Sequence, residues 1–147
     1  MSKILIAKVG TDAHDMGVTV VARWLRAAGH EVNFMGIYNT PQQVAQVART
    51  FTPDVIGLSF LGAEPVYMAG RVTEELAHAG IEAPLVVGGV ITPEMAKELA
   101  ELGVKAVFTP GTSREAIVDG IAEVLAGALR NAPPAQRINP YSPAQTS

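Results

Sequence analysis

Residues 8–17 read Lys-Val-Gly-Thr-Asp-Ala-His-Asp-Met-Gly, a polar segment enclosed by two apolar patterns. The apolar run before it, residues 4–7, is typical of a buried strand. The pattern after it is helical and places these apolar side chains on one face: Val20, Val21, Trp24, Leu25 and Ala28. In an open α/β sheet, a polar loop between a strand and a helix lies at the carboxyl edge, where ligands bind. The segment therefore predicts an α/β fold and indicates where its functional site lies.

The same alternation of strand and helix continues along the chain. Strands are predicted at about residues 3–9, 31–35, 55–59, 85–87 and 106–108, with helices after each one. Helix starts are indicated by Thr40-Pro41, Pro65, Thr92-Pro93 and Ser113. Five such units predict a flavodoxin-like α/β fold, with a five-stranded parallel sheet in the order 2-1-3-4-5 and helices on both faces. This domain is predicted over residues 1–128, and the proline-bearing residues 129–147 are predicted to form an extended tail.

Composition narrows the classes of function. The 147 residues carry a formal net charge of -3, and the 11 lysines and arginines are scattered, so binding to nucleic acid or an anionic membrane surface is not expected. The chain has no cysteine, which excludes disulfides and thiolate metal sites. No apolar run approaches the roughly 20 residues needed to cross a bilayer, and the first residues lack a signal-peptide pattern. A cytoplasmic protein is expected.

His14 is the candidate metal ligand. Asp12 stands two residues before it, and a carboxylate that holds the second ring nitrogen is the usual partner of a metal-binding histidine. A zinc site is disfavoured because it needs about four ligands, and the other histidines, His30 and His78, fall elsewhere. A single histidine suits a metal that brings its other ligands with it, as in a tetrapyrrole. A general base and a purely structural histidine remain alternatives at this point.

Two common alternatives for this topology fail on specific residues. A dinucleotide site needs Gly-x-Gly-x-x-Gly after the first strand, and this loop lacks that pattern. A phosphorylated receiver domain needs an aspartate at the end of strand three, where this chain has Ser59. It also needs a lysine at the end of strand five, where Thr109-Pro110 stands.

Three motifs in order resemble the signature of cobalamin-binding domains. Asp12-x-His14-x-x-Gly17 is followed after forty-one residues by Ser59-x-Leu61, and after a further twenty-six by Gly88-Gly89. The resemblance covers about residues 3–127. In that family a histidine replaces the dimethylbenzimidazole base on cobalt, and the displaced nucleotide tail enters a deep pocket.

The resemblance implies a role for each motif residue. His14 would be the lower axial ligand of cobalt, and Asp12 its hydrogen-bonded partner. The remaining motif residues would surround the nucleotide tail: Ser59 and Leu61 as walls, Gly88 and Gly89 as positions without side chains, and Gly17 at the start of the first helix.

The branch most similar to this chain is the acyl-CoA mutases of the methylmalonyl-CoA mutase family. The similarity rests on residues 8–17, on Thr-Pro-Gln-Gln-Val-Ala at 40–45 and on Phe-Thr-Pro-Gly-Thr at 108–112. It adds Lys8, Asp15 and Thr112 to the cofactor-binding residues. Gly62-Ala63-Glu64-Pro65 departs from a Ser/Ala-Gly-His-like segment of those enzymes, which leaves the substrate and the partner subunit open.

The resemblance implies a cobalamin-binding small subunit of an adenosylcobalamin-dependent acyl-CoA mutase. Such an isomerase works by homolysis of the cobalt–carbon bond and hydrogen abstraction by a 5′-deoxyadenosyl radical. Asp12 and His14 would tune the cofactor rather than act as acid or base. The chain begins at its first strand, without the helical bundle of corrinoid methyltransferases and photosensors, so a large (β/α)8 subunit holding the acyl-CoA is expected in a hetero-oligomer. The alternatives are a non-enzymatic cobalamin carrier or sensor, a glutamate-mutase-like small subunit, and a flavodoxin-like domain without a corrinoid.

Overall fold

The computed structural model describes residues 2–9, 16–37, 39–60 and 64–130. The strands are β1 (Lys3–Lys8), β2 (Glu31–Phe34), β3 (Val55–Phe60), β4 (Leu85–Gly89) and β5 (Ala106–Phe108). The helices are α1 (Met16–Ala27), α2 (Pro41–Phe51), α3 (Pro65–His78), α4 (Pro93–Glu101) and α5 (Arg114–Arg130). The strands pair in parallel in the order β2-β1-β3-β4-β5, so the predicted fold class and strand order are confirmed.

The two faces of the sheet support separate apolar clusters because successive strand residues point to opposite faces. On β1, Leu5 and Ala7 belong to the cluster formed with α2, α3 and α4. Ile4 and Ile6 belong to the other cluster, which includes buried residues of α1 and α5. This division places α1 and α5 together over one face of the sheet.

The four predicted helix starts are confirmed, and a side chain caps three of them. Thr40 forms a capping box with Gln43: its Oγ1 accepts the backbone N–H of Gln43 at 3.1 Å, and the Gln43 Oε1 accepts the backbone N–H of Thr40 at 2.8 Å. Thr92 accepts from the backbone N–H of Met95 at 3.1 Å, and Ser113 from that of Ala116 at 3.1 Å. These bonds satisfy N–H groups that lack partners within the first helical turn, which fixes the direction in which each helix leaves the sheet.

The amino edge of the sheet holds a buried histidine. His30 lies just before β2, and burial lowers its pKa from the usual 6.5, with a further lowering from the positive amino terminus. Asp54 acts in the opposite direction, and its Oδ2 accepts the backbone N–H of Lys3 at 2.7 Å. This histidine is therefore a structural group at the edge opposite to the predicted ligand site.

α5 continues to Arg130, two residues into the segment predicted as a tail, 129–147. The rest of that segment lies outside the described residues, so the tail there stays a prediction. Within the described part of the chain, no helix combines the length and the apolar character required to cross a bilayer.

Candidate functional site

A cleft of about 470 Å³ lies between the sheet and the helices α1 and α5. Its lining extends from the carboxyl ends of β3, β4 and β5 down to Ile4 and Ile6 of β1. Most of the lining is apolar, with Ser59 and Thr112 among the few polar residues. A concave apolar cavity with few polar groups is the usual form of a small-molecule site, and its position is the one predicted for ligands in this fold.

Two positions on the strand floor of the cleft, Gly57 and Gly88, lack side chains. Gly57 pairs in register with Val86, and Ser59 with Gly88, all on the cleft face. A Cβ added to Gly57 would come no closer than 3.6 Å to Val86, and one added to Gly88 would lie 3.6 Å from the Phe108 carbonyl oxygen. These are ordinary contacts, so local sterics do not require glycine at either position. The missing side chains instead leave space above the central strands.

Gly89 is a glycine for a different reason. Its φ is +147°, and an added Cβ would lie 1.9 Å from the carbonyl oxygen of Phe60 on the neighbouring strand. No side chain fits this close approach of two backbones. Of the two glycines in the predicted Gly-Gly motif, Gly89 is needed by the backbone, whereas Gly88 faces open space.

The loop between β5 and α5 forms one rim of the cleft. Thr112 closes it as a tight turn, because its backbone N–H and its hydroxyl donate to the carbonyl of Thr109 at 3.2 and 2.5 Å. Gly111 has a φ of +90°, which a glycine adopts without strain. The turn brings Thr112 to the cleft, beside residues from the ends of β3 and β4.

α1 forms the facing wall of the cleft. Of the five apolar residues predicted on one face of this helix, Leu25 is fully buried, with 1% exposure, and Val21 and Trp24 pack against the same buried cluster. Val20, Val21 and Trp24 are half-buried and line the cleft, and Ala28 is exposed. The space of the cleft lies beside this contact, where Gly57 and Gly88 have no side chains.

The predicted site residues divide into those at the cleft and those outside the described residues. Gly17, Ser59, Gly88, Gly89 and Thr112 all line the cleft. The remaining residues of the prediction, apart from Lys8, lie outside the described part of the chain: Asp12, His14, Asp15 and Leu61.

Lys8 lies at the end of β1, beside Ser59 in the sheet register, with a side chain that is 1% exposed. It is not among the residues that line the cleft. Of the other histidines, His78 is exposed at the end of α3, far in sequence from the motif. No group of three or more histidine, aspartate or glutamate side chains is arranged to hold a metal ion among the described residues.

Two contributors to the site were not singled out in the sequence. Gly57 interrupts a central strand, which is a recognised signal for close approach to a ligand or another backbone. Asn39 is buried and donates from Nδ2 to the carbonyls of Lys8 and Gly36 at 3.0 and 2.9 Å, while its backbone N–H donates to Lys8 at 3.1 Å. It thereby fixes the end of β1, from which the predicted ligand loop departs. No pattern in the sequence distinguishes this asparagine from one in an ordinary turn.

The fold is that of a flavodoxin-like α/β domain, with a cleft between the sheet and its first and last helices. Residues 2–119 match the model of the B12 binding domain family. The small subunit of 2-hydroxyisobutanoyl-CoA mutase from Aquincola tertiaricarbonis is 38% identical over 125 residues, covering 84% of this chain and 92% of the relative. The small subunit of pivalyl-CoA mutase from Xanthobacter autotrophicus is 36% identical over 146 residues, covering 97% of this chain and 93% of the relative.

A solved structure shares the fold. The crystal structure of a cobalamin-binding protein from Desulfitobacterium hafniense superposes with a TM-score of 0.72 at 22% identity, covering 84% of this chain and 58% of that one. This chain belongs to the B12-binding domain family. The family resemblance drawn from the three sequence motifs is confirmed.

Proposed function

We propose that this chain is the cobalamin-binding small subunit of an adenosylcobalamin-dependent acyl-CoA mutase. The observation that carries the proposal is the glycine-floored cleft between the sheet and α1 and α5, in a chain of the B12-binding domain family. The two mutase small subunits described above support the acyl-CoA branch, since each is matched over more than nine-tenths of its length.

The cleft fits the nucleotide tail of cobalamin in size and chemistry. Its volume of about 470 Å³ lies within the roughly 300–1,000 Å³ usual for small-molecule sites. An aromatic base with a ribose phosphate linker needs apolar walls and a few hydroxyl or backbone partners. Trp24 and Phe108 supply aromatic surface, and Ser59 and Thr112 supply hydroxyls. In this proposal Gly57 and Gly88 leave the space that the tail fills.

His14 is proposed as the protein ligand of cobalt, with Asp12 as its hydrogen-bonded partner. Their support is the motif itself and the place of the loop, which joins the end of β1 to Gly17 at the rim of the cleft. Lys8 and Asn39 would act one step further away, by holding the end of the strand from which the loop departs. Asp15 and Leu61 complete the proposed set.

Adenosylcobalamin, when bound, supplies the radical that abstracts a hydrogen from the substrate. The residues of this chain then bind the tail, orient the cofactor and tune it, rather than transferring protons. The acyl-CoA is assigned to a large (β/α)8 subunit, which would exclude water from the upper face of the cofactor and select the substrate. The chain is proposed to be part of an isomerase only in that complex. The cytoplasmic location stays a prediction from the sequence.

An absorption titration of the purified chain with adenosylcobalamin tests the cofactor assignment. Binding should displace the dimethylbenzimidazole base and give the spectrum of a histidine ligand, and His14→Ala should lose that spectrum and bind more weakly. His78→Ala is the matched control, because that histidine is exposed on α3. An unchanged spectrum and affinity in His14→Ala would refute the ligand assignment.

The same preparation tests the mutase assignment. Isomerase activity should appear only when a large subunit is added to the loaded chain. Tight cobalamin binding without activity in the presence of the cognate large subunit would contradict the mutase proposal and favour a carrier or sensor.

A further inference from the structure

An aromatic ring of the cleft lies directly against a helical glycine. Gly120 is in the middle of α5, and a Cβ added to it would come 2.8 Å from both Cε1 and Cζ of Phe108. Real Cβ atoms do not approach other heavy atoms this closely, so an alanine at this position would force the ring to move. Phe108 ends β5 and lines the cleft, next to Gly88 in the sheet register.

Glycine has a cost in the interior of a helix, because it loses more backbone freedom on folding than alanine does. Gly70 of α3 provides a comparison on the other face of the sheet. A Cβ added there would meet only Leu102, at 3.8 Å, which is an ordinary contact. Alanine at Gly70 therefore requires no movement of its neighbours, whereas alanine at Gly120 requires the Phe108 ring to move.

We infer that Gly120 is a positioning residue that sets the width of the cleft by letting the Phe108 ring lie back against α5. The inference rests on the proposed function, since it assigns the cleft to the nucleotide tail of cobalamin. With a side chain at residue 120, the far end of the ring has to turn away from α5, and the open space beside it is the cleft. Gly120 therefore governs which appended groups the cleft admits, without touching them.

The test compares two corrinoids on the Gly120→Ala variant. Cobalamin carries the nucleotide tail, and cobinamide has the same corrin ring without it. Overpacking by a methyl group should weaken cobalamin binding by roughly tenfold, whereas cobinamide binding should be unchanged. Gly70→Ala is the matched control, because it makes the same helix substitution away from the cleft and should bind both corrinoids as the unsubstituted chain does.

A compensating substitution makes the test specific to the ring. Phe108→Leu removes Cε1 and Cζ, the two atoms that an alanine at residue 120 would meet. Because Phe108 itself lines the cleft, Phe108→Leu alone is the reference for this comparison. Adding Gly120→Ala to the Phe108→Leu chain should therefore cost little further cobalamin affinity, in contrast to its effect on the unsubstituted chain. The circular dichroism spectrum of the empty Gly120→Ala chain should match that of Gly70→Ala. Its thermal unfolding midpoint should be no lower than that of Gly70→Ala.

The outcomes separate the inference from the proposed function. If the unsubstituted chain binds cobalamin and Gly120→Ala binds it equally well, the inference is wrong and the proposed function stands. Equal weakening for cobalamin and cobinamide would also overturn the inference. So would a loss of cobalamin affinity on adding Gly120→Ala to the Phe108→Leu chain that is as large as the loss in the unsubstituted chain. Failure of the unsubstituted chain to bind cobalamin would overturn both.

Discussion

Replacing Gly88 with leucine should block the cleft while leaving the fold intact. The backbone of Gly88 lies outside the left-handed region, and an added Cβ would rest 3.6 Å from the Phe108 carbonyl oxygen, so the first carbon is accommodated without strain. The remaining three carbons of leucine extend from the cleft face of β4, between Ser59 and Phe108. They would occupy part of the roughly 470 Å³ that the proposal assigns to the nucleotide tail.

The loss of affinity can be bounded from packing. Inserting methylene groups into a filled site costs about 1–3 kcal/mol, which corresponds to a dissociation constant that is roughly 10- to 100-fold weaker. Gly88→Ala adds one carbon in an ordinary contact and should show a much smaller effect, which provides a graded control. The assay is an absorption titration with cobalamin beside urea unfolding of the empty chain.

Gly88→Leu should weaken cobalamin binding without lowering the stability of the empty chain. The free energy of unfolding of the Gly88→Leu chain should be no lower than that of the unsubstituted chain, because the leucine enters an apolar cavity. Unchanged cobalamin affinity in a folded Gly88→Leu chain would refute the assignment of the cleft. A loss of stability in Gly88→Ala would show instead that local sterics require the glycine.

Two further predictions concern stability. Gly89→Ala should lower the free energy of unfolding by about 1–3 kcal/mol or more, because an alanine there would have a φ of +147° and a Cβ 1.9 Å from the Phe60 oxygen. A free energy of unfolding in urea equal to that of Gly88→Ala would contradict this. Stability should also fall as the pH drops below about 6.5, because the lowered pKa of His30 means that the unfolded chain takes up a proton that the folded chain resists. The contribution is present above the unfolded pKa and is lost as the pH falls towards the folded one. Unfolding of the unsubstituted chain and of His30→Gln between about pH 7 and 5 checks this, and identical pH slopes would refute it.

Most of the fold could be predicted from local patterns. Apolar runs of strand length alternate with amphipathic helices, and the cap residues Thr40, Thr92 and Ser113 stand where the helices begin. The parallel order follows because each strand is separated from the next by a helix, which requires a crossover. Such signals are local, so one sequence is enough to reveal them.

The cleft was predicted less completely than the fold, because the sequence patterns of its wall and its floor each fit more than one structure. The apolar stripe of α1 predicts contact with an apolar surface, but the stripe does not say whether that surface is the sheet or a bound ligand. Val21 and Trp24 do both, because they pack against the buried cluster of this face and also line the cleft. The gap exists because Gly57 and Gly88 lie side by side with residues of neighbouring strands, a relation set by sheet register rather than by sequence distance.

The glycines of the cleft have different roles that the residue type alone does not reveal. Gly88 and Gly89 are adjacent in the sequence and both line the cleft. A Cβ added to Gly88 would make an ordinary contact, whereas one added to Gly89 would lie 1.9 Å from a carbonyl oxygen. Gly120 is distant from both and makes room for a ring that borders the same cleft. Substitutions at these positions should therefore have different effects. At Gly89 the chain should lose stability, at Gly88 the cleft should lose space for the ligand, and at Gly120 the Phe108 ring should move. A variant that loses cobalamin without losing stability would identify space in the cleft, rather than backbone conformation, as what the glycine provides.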